Sequence, residues 1–349
     1  MTTPPTSGAA TARAFPNLAL VKYWGKRDEE LILPVAGSLS LTLDAFPTTT
    51  TVAVDPGLDG DVFELNGAAA SDTAAERVTA FLDLVRERAG ATDHARVHSV
   101  NEAPTGAGLA SSASGFAALA RAAAAAYDLD LDTPALSRLA RRGSGSATRS
   151  VIGNVALWHA GADDETSFAE PVPAPDLAMV IATVDTAAKP VSSREAMRRT
   201  ASTSPYFVAW ITSTETTLTE MVAACRAGDF TRIGEITEAH AMRLHGLIAS
   251  TEPPIRYLKP RSIEVMDTVV ALRQEGVEAY STADAGPNVA VLVRPEQAEA
   301  VAARLGDVVG PEKVRTAGPG PGAHLLPDAQ PPAGAGGPAG DEGPAGAGS

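Results

Sequence analysis

Four stretches of this chain gather side chains that could do chemistry, three of them suited to holding an anion and the fourth carrying a carboxylate. In Asn17-Leu18-Ala19-Leu20-Val21-Lys22-Tyr23-Trp24-Gly25-Lys26-Arg27-Asp28, an apolar run leads into three cations and two polar-tipped aromatics. Cations at this density fix an anion while the aromatics supply shape and donors. An exposed strand end with a solvated charge cluster has the same composition. Pro104-Thr105-Gly106-Ala107-Gly108-Leu109-Ala110-Ser111-Ser112-Ala113-Ser114-Gly115 stands between a strand and a helix. Its glycines let backbone approach a ligand closely, and the helix start adds unpaired N–H groups and a positive dipole end. This is a phosphate cradle without a Walker lysine, and a capped helix after a flexible turn reads alike. Ala140-Arg141-Arg142-Gly143-Ser144-Gly145-Ser146-Ala147-Thr148-Arg149-Ser150 joins two glycines to the hydroxyls of Ser144 and Ser146 and to the planar fork of Arg149, which suits a carboxylate. An ordinary helix–loop–helix corner is the alternative. Tyr280-Ser281-Thr282-Ala283-Asp284-Ala285-Gly286-Pro287-Asn288 links two short strands through a turn that Asp284 can simply cap.

The elements around these stretches are legible from periodicity. Ser38 to Asp44 alternates, with Leu39, Leu41 and Leu43 on one face of a strand. Thr49 to Val54, Asp61 to Leu65 and Arg96 to Asn101 also read as strands, with Asp-Pro-Gly and Asp-Gly turn signals among them. Between them Ala74, Val78, Phe81, Leu82 and Val85 share one helical face. An Ala-rich helix is expected over Ser111 to Tyr127, and a shorter one over Thr133 to Arg142, with Thr133 as N-cap and Pro134 at its first position. Asn154 to His159 and Leu177 to Val184 read as strands. Beyond about residue 190 long helices dominate, near Pro205 to Ala227, Phe230 to Ala249 and Arg261 to Glu275. Strands over Val277 to Thr282 and Asn288 to Val293 follow, then a helix from about Pro295. Runs of this kind predict an α+β fold. We expect a disordered N-terminus over residues 1–13, a domain over 14–185, a second over 186–326 and a disordered Pro/Gly/Ala tail over 327–349.

Composition narrows the chemistry. With 44% apolar residues among 349, the chain can bury a substantial core. A net charge of −14 argues against a general nucleic-acid or anionic-membrane surface, so neither partner is expected. It leaves room for an anionic small molecule held by a few placed cations. Cys225, the one cysteine, excludes an internal disulfide and reads as a half-buried helix residue. His94, His98, His159, His240, His245 and His324 show no metal-ligand spacing and read as structural or surface residues, so the metal ligands are unknown. No apolar run approaches a membrane span and none resembles a signal peptide, so a soluble, cytoplasmic protein is expected.

The motifs together resemble one family. Pro104, Gly108-Leu109 and Ser111-Ser112-Ala113 look like the ATP-binding motif of the GHMP kinase superfamily. Lys22-Tyr23-Trp24-Gly25-Lys26-Arg27-Asp28, Gly143-Ser144-Gly145-Ser146-Ala147-Thr148-Arg149-Ser150 and Asp284-Ala285-Gly286-Pro287-Asn288 resemble stretches of the diphosphomevalonate decarboxylases within it, collinearly over about residues 15 to 320. Thr148 stands where some relatives have Cys. The resemblance implies the two-domain GHMP kinase architecture, with the active site in the cleft between the domains. It implies ATP-dependent decarboxylation of (R)-5-diphosphomevalonate to isopentenyl diphosphate, with ATP and Mg²⁺ as cofactors and a homodimer as the assembly. Asp284, Lys22 and Arg149 are then the catalytic residues. Asp284 assists phosphorylation of the C3 hydroxyl, Lys22 keeps it ionised if close, and Arg149 holds the carboxylate. Asn17, Tyr23, Trp24, Lys26, Ser144 and Ser146 meet the substrate, as do Ser193 and Arg194 of Val191-Ser192-Ser193-Arg194 at its diphosphate. Pro104, Gly106, Gly108, Leu109, Ala110, Ser111 and Ser112 bind the nucleotide. A sister enzyme acting on the monophosphate, a kinase that stops before decarboxylation and a catalytically dead relative are the rivals.

Overall fold

The computed structural model describes residues 8–102, 111–187 and 189–327. The chain begins with β1 (Ala9–Ala14) and β2 (Asn17–Val21), then a small ladder of β3 (Lys26–Asp28) with β4 (Leu33–Pro34). β5 (Ser38–Thr42), β6 (Thr48–Val54), β7 (Val62–Leu65) and β8 (Ala68–Ala69) lead to α1 (Asp72–Ala89) and β9 (Ala95–Asn101). α2 (Ser111–Ala126), α3 (Thr133–Gly143) and the single turn α4 (Ala147–Ser150) follow, then β10 (Val155–Trp158) and β11 (Ala169–Pro171). The second half holds β12 (Ala178–Ala182), α5 (Ser193–Thr203), α6 (Phe207–Ala227), α7 (Phe230–Ala249), α8 (Pro260–Gln274), β13 (Ala279–Thr282) and β14 (Val289–Val293). It ends with α9 (Ala298–Val309), β15 (Val314–Ala317) and β16 (His324–Leu325).

Among the described residues three larger sheets form. A six-stranded sheet runs β16-β1-β6-β9-β7-β8, a four-stranded sheet β11-β10-β5-β2, and a second four-stranded sheet β13-β14-β12-β15. α2 packs on β1 and β6 through fully buried Ala117, Ala118, Ala120, Ala122 and Ala123. Side chains that small let helix and sheet approach closely. The sheet containing β2 and β5 meets the second half through one continuous core. Leu18, Leu20, Leu39 and Leu41 pack there with Met179, Ile181, Met221, Phe230 and Ile233. α7 lies against both β2 and β13. At its approach to β13, Gly234 faces the Tyr280 ring so closely that a Cβ would clash with it.

The expected α+β fold is present, with four local corrections. Residues 9–13, expected to be disordered, form most of β1, a strand paired on both sides by β16 and β6. Its alternation uses Ala12 and Ala14, whose small side chains fill the space under α2 but leave no bulky apolar signal in the sequence. The N-cap of α3 is Asp132, whose side chain accepts the Ala135 N–H at 2.8 Å, and not Thr133. β12, expected in the first domain, pairs with β14 and β15, so the second sheet begins ahead of residue 185. Residues 318–326, expected in the second domain, cross back to the first: β16 pairs with β1, and the Ala323 N–H donates to the Ser150 carbonyl at 3.2 Å. Residues 1–7 and 328–349, which carry the rest of the two terminal expectations, lie outside the described residues.

The returning segment is tight at Gly320. Its N–H donates to the Thr42 carbonyl and its own carbonyl accepts from Asn154, both at 2.8 Å. A Cβ there would fall inside contact distance of the Leu43 carbonyl oxygen, a backbone atom with little freedom to yield. Gly320→Ala should therefore destabilise the fold by about 1–3 kcal/mol. Chemical denaturation checks this, and a midpoint equal to the parent's would show that the segment adapts freely.

Candidate active site

Lys22 lies just past the end of β2, where the chain leaves the core, and is 2% exposed. Its ammonium donates to Asp284 Oδ1 and to the Ala19 carbonyl, each at 2.7 Å. Asp284 follows β13, so the pair joins the two halves of the chain. Burial disfavours the charged form of both groups. It pushes the Lys22 ammonium down, and Asp284 only partly restores it. Burial would also raise the Asp284 carboxyl, but Lys22, Lys189 and Arg149 outweigh that and hold it below the ordinary carboxylate range. One carboxylate thus faces three cations, a local excess of positive charge in an acidic protein.

Arg149, on α4, is 2% exposed and held on a rack of acceptors. Its Nε donates to Ser40 Oγ at 2.9 Å and to Asn17 Oδ1 at 3.3 Å, Nη1 to Ser38 Oγ, and Nη2 to Asn17 Oδ1 at 3.2 Å. Burial pushes the guanidinium down to about 10, against the pull of Asp284 and Tyr23, so it is charged at neutral pH. Five N–H groups radiate from a guanidinium. The rack engages one N–H on each of its three nitrogens and leaves one on each terminal nitrogen. β5 shows why its sequence alternates: the leucines enter the core and Ser38 and Ser40 face Arg149. Asn17 completes the frame by donating to the Ser146 carbonyl at 2.9 Å and to Ser150 Oγ at 2.8 Å.

The glycine–serine loop sits between this frame and α2. Ser112, Ser144 and Ser146 form a chain of hydroxyls, with separations of 3.3 and 3.2 Å. At Gly145 a Cβ would lie 2.7 Å from the Tyr23 hydroxyl, so only glycine admits this ring. Tyr23 stacks at a tilt on Trp158, its hydroxyl is buried with no partner among the described residues, and burial raises its pKa. Lys26 pairs with Glu29 at 2.7 Å. Glu29 and Arg194 both act electrostatically on Tyr23, so this phenol lies amid the charged groups expected to meet a diphosphate. Ser193 opens α5 behind the cap Ser192, whose Oγ accepts the Glu195 N–H at 3.2 Å, and Arg194 is exposed beside it.

Trp24 departs from its expected contact with substrate. It is buried in a core with Trp210, Leu244 and Ala285, and its indole N–H donates to Thr200 Oγ1 at 3.2 Å, so it backs the turn carrying Asp284. Pro104, Gly106, Gly108, Leu109 and Ala110 lie outside the described residues, and Ser111 opens α2. Lys189 was missed; it reaches toward Gly286 and Asp284 acts on its charge. The signal was a lysine three residues ahead of the expected Ser192-Ser193-Arg194 contact. Arg77 was missed too. It donates to the Gly143 carbonyl at 3.2 Å and carries Arg194's charge nearby. Cys225 is buried, with its thiol pushed up to about 12 by burial, and is inert.

Comparison with known proteins places this geometry. Residues 14–169 match the diphosphomevalonate decarboxylase-like N-terminal domain, and residues 179–320 match the mevalonate 5-diphosphate decarboxylase C-terminal domain. The diphosphomevalonate decarboxylase of Homo sapiens is 38% identical over 322 residues, covering 84% of this chain and 79% of its own. The phosphomevalonate decarboxylase of Haloferax volcanii is 35% identical over 302 residues, covering 85% and 92%. A solved structure of MDDEF in complex with MVAPP, AMPPCP and magnesium superposes with a TM-score of 0.88 at 46% identity, covering 92% of this chain and 99% of that one. The chain belongs to the diphosphomevalonate decarboxylase family.

Proposed function

We propose that this protein converts ATP and (R)-5-diphosphomevalonate to ADP, phosphate, CO2 and isopentenyl diphosphate. The observation that carries the reading is the meeting of Asp284, Lys22, Lys189 and Arg149 beside a rack of serine hydroxyls. A tertiary hydroxyl is a poor nucleophile, and hydroxide is a poor leaving group. Asp284 accepts the C3 hydroxyl proton as its oxygen bonds to the γ-phosphorus and the bond to ADP breaks. The C3–O bond then breaks toward phosphate, the carboxylate leaves as CO2, and the freed electron pair becomes the C2–C3 double bond. Lys22 keeps Asp284 ionised, and Arg149 orients the substrate carboxylate through its two unassigned N–H groups. Tyr23, Lys26, Ser193 and Arg194 take the diphosphate, and Ser144 and Ser146 line the substrate.

ATP belongs to the first half, from residue 14, at the start of α2 with Pro104, Gly106, Gly108, Leu109, Ala110, Ser111 and Ser112. The exposed Ser112 hydroxyl, linked to Ser144, fits that placement. Mg²⁺ neutralises phosphate charge during transfer. The neighbour that binds MVAPP, AMPPCP and magnesium supports the same pair of ligands here. A cytoplasmic homodimer completes the proposal. No helix among the described residues is long and apolar enough to cross a membrane.

Three outcomes test the reading. Purified protein given ATP and Mg²⁺ should release ADP and CO2 with the diphosphate and should prefer it over the monophosphate by about 100-fold in kcat/KM, since the cations at Tyr23 exceed one phosphate's needs. Equal kcat/KM for the two would overturn the preference for the diphosphate. Asp284→Asn should lower kcat by at least about 10²–10⁴-fold with ATP binding retained, and a variant keeping most of its kcat would remove Asp284 as the base. Arg149→Lys keeps the charge but loses the fork, so turnover should fall by about 100-fold or more. Near-parental turnover would mark Arg149 as structural only.

A further inference from the structure

Two buried histidines on α7 have no part in the reaction scheme, yet both hold the main chain of the reacting pair. His240 Nδ1 accepts the Lys22 backbone N–H at 3.0 Å. Its ring proton therefore sits on Nε2, which donates to Thr214 Oγ1 at 3.2 Å. His245 Nε2 lies 3.3 Å from the Ala283 carbonyl, and because a carbonyl only accepts, this nitrogen carries the proton. Five residues along a helix turn a side chain through about 140°, so the two rings leave α7 toward different strands. β2 and β13, which carry Lys22 and Asp284, both pack on this helix.

The His240 contact requires a neutral ring, since a protonated His240 has no lone pair for the Lys22 N–H, whereas His245 donates to its carbonyl in either form. Burial pushes His240 down to about 3, with Arg243 and Lys22 acting in the same direction. Burial pushes His245 down to about 4, with Lys22 adding to it and the Ala283 carbonyl and Asp284 opposing. The Trp210 ring, 4.6 Å from the His240 ring, fills the space beside it.

We infer that His240 and His245 are positioning residues that use α7 as a rigid spacer to set the separation of Lys22 and Asp284. The inference rests on the reading of those two as the reacting pair. Asp284 faces Lys22 from the end of β2, Lys189 from the segment before α5, Arg149 from α4 and His245 from α7. Loosening Lys22 removes the cation nearest to it.

The test uses the full chain with His240→Asn, His240→Leu, His245→Gln, His245→Leu and Thr214→Val. Asparagine keeps an acceptor near the position of Nδ1, and glutamine a donor near that of Nε2. The leucine variants should lose about 10- to 100-fold in kcat, with KM for both substrates within about threefold of the parent. The asparagine and glutamine variants should recover most of that loss. The acid limb of the pH profile should move to higher pH in His240→Leu, as Asp284 loses a closely held cation. Parental kcat in both leucine variants would overturn the inference, as would losses in the asparagine and glutamine variants as deep as in leucine. If leucine prevents folding, Thr214→Val decides, because it frees the His240 ring without changing its size; unchanged kcat there would overturn the role of His240. The Asp284 carboxyl titration, followed by NMR, reads the same clamp without turnover. A parent with no decarboxylation but a normally low Asp284 titration would count against the proposed reaction and not against the histidines.

Discussion

Burying an ammonium beside a carboxylate is the constraint from which the rest of this site follows. Taking both ions out of water costs several kcal/mol each, and the attraction regained is adequate only with close geometry and satisfied donors. Lys22 meets this with Asp284 and the Ala19 carbonyl. Lys189 and Arg149 then tip the balance, leaving a positive pocket in a chain whose net charge is −14. The global charge repels polyanions at a distance, so affinity for phosphate must come from short-range donors and local cations. A polyanionic ligand would relieve the crowding of those cations.

The scaffold serves that requirement strand by strand. β5 is buried on both faces, and its two faces do different work: Leu39 and Leu41 fuse the halves of the chain, while Ser38 and Ser40 fix Arg149. Asn17 gives its amide N–H groups to the glycine–serine loop and its carbonyl to Arg149, so one side chain ties the cation to that loop. Gly145 and Tyr23 are complementary in the same way, with the missing Cβ making room for the phenol.

How much of this could be read from the sequence depended on the kind of signal each residue leaves. Leucine alternation in Ser38 to Thr42 and the long runs of α6 and α7 were legible because bulky apolar spacing is a local property. β1 was not, because Ala12 and Ala14 matter only under the alanine face of α2, a match between segments far apart in sequence. α5 was not expected as a helix; its stability rests on a Ser192 cap and a few buried contacts such as Ala196 and Thr200. At the site, motifs identified Asp284, Lys22 and Arg149. Whether a residue faces the ligand or supports one that does was not legible, and Trp24 shows the difference, being aromatic, adjacent to Tyr23 and buried against the far side of the Asp284 turn.

The charged centre is shared between the halves of the chain. Lys22 and Arg149 come from the first half and Asp284 and Lys189 from the second, so neither half holds the whole set of charges. A hinge that opened freely between them would break the Lys22–Asp284 ion pair and expose the apolar core they share. The continuous leucine core between β5, β12 and α7 resists such opening. The crossing of residues 318–326 back to β1 and the Ser150 carbonyl ties the end of the second half directly to the helix turn that carries Arg149.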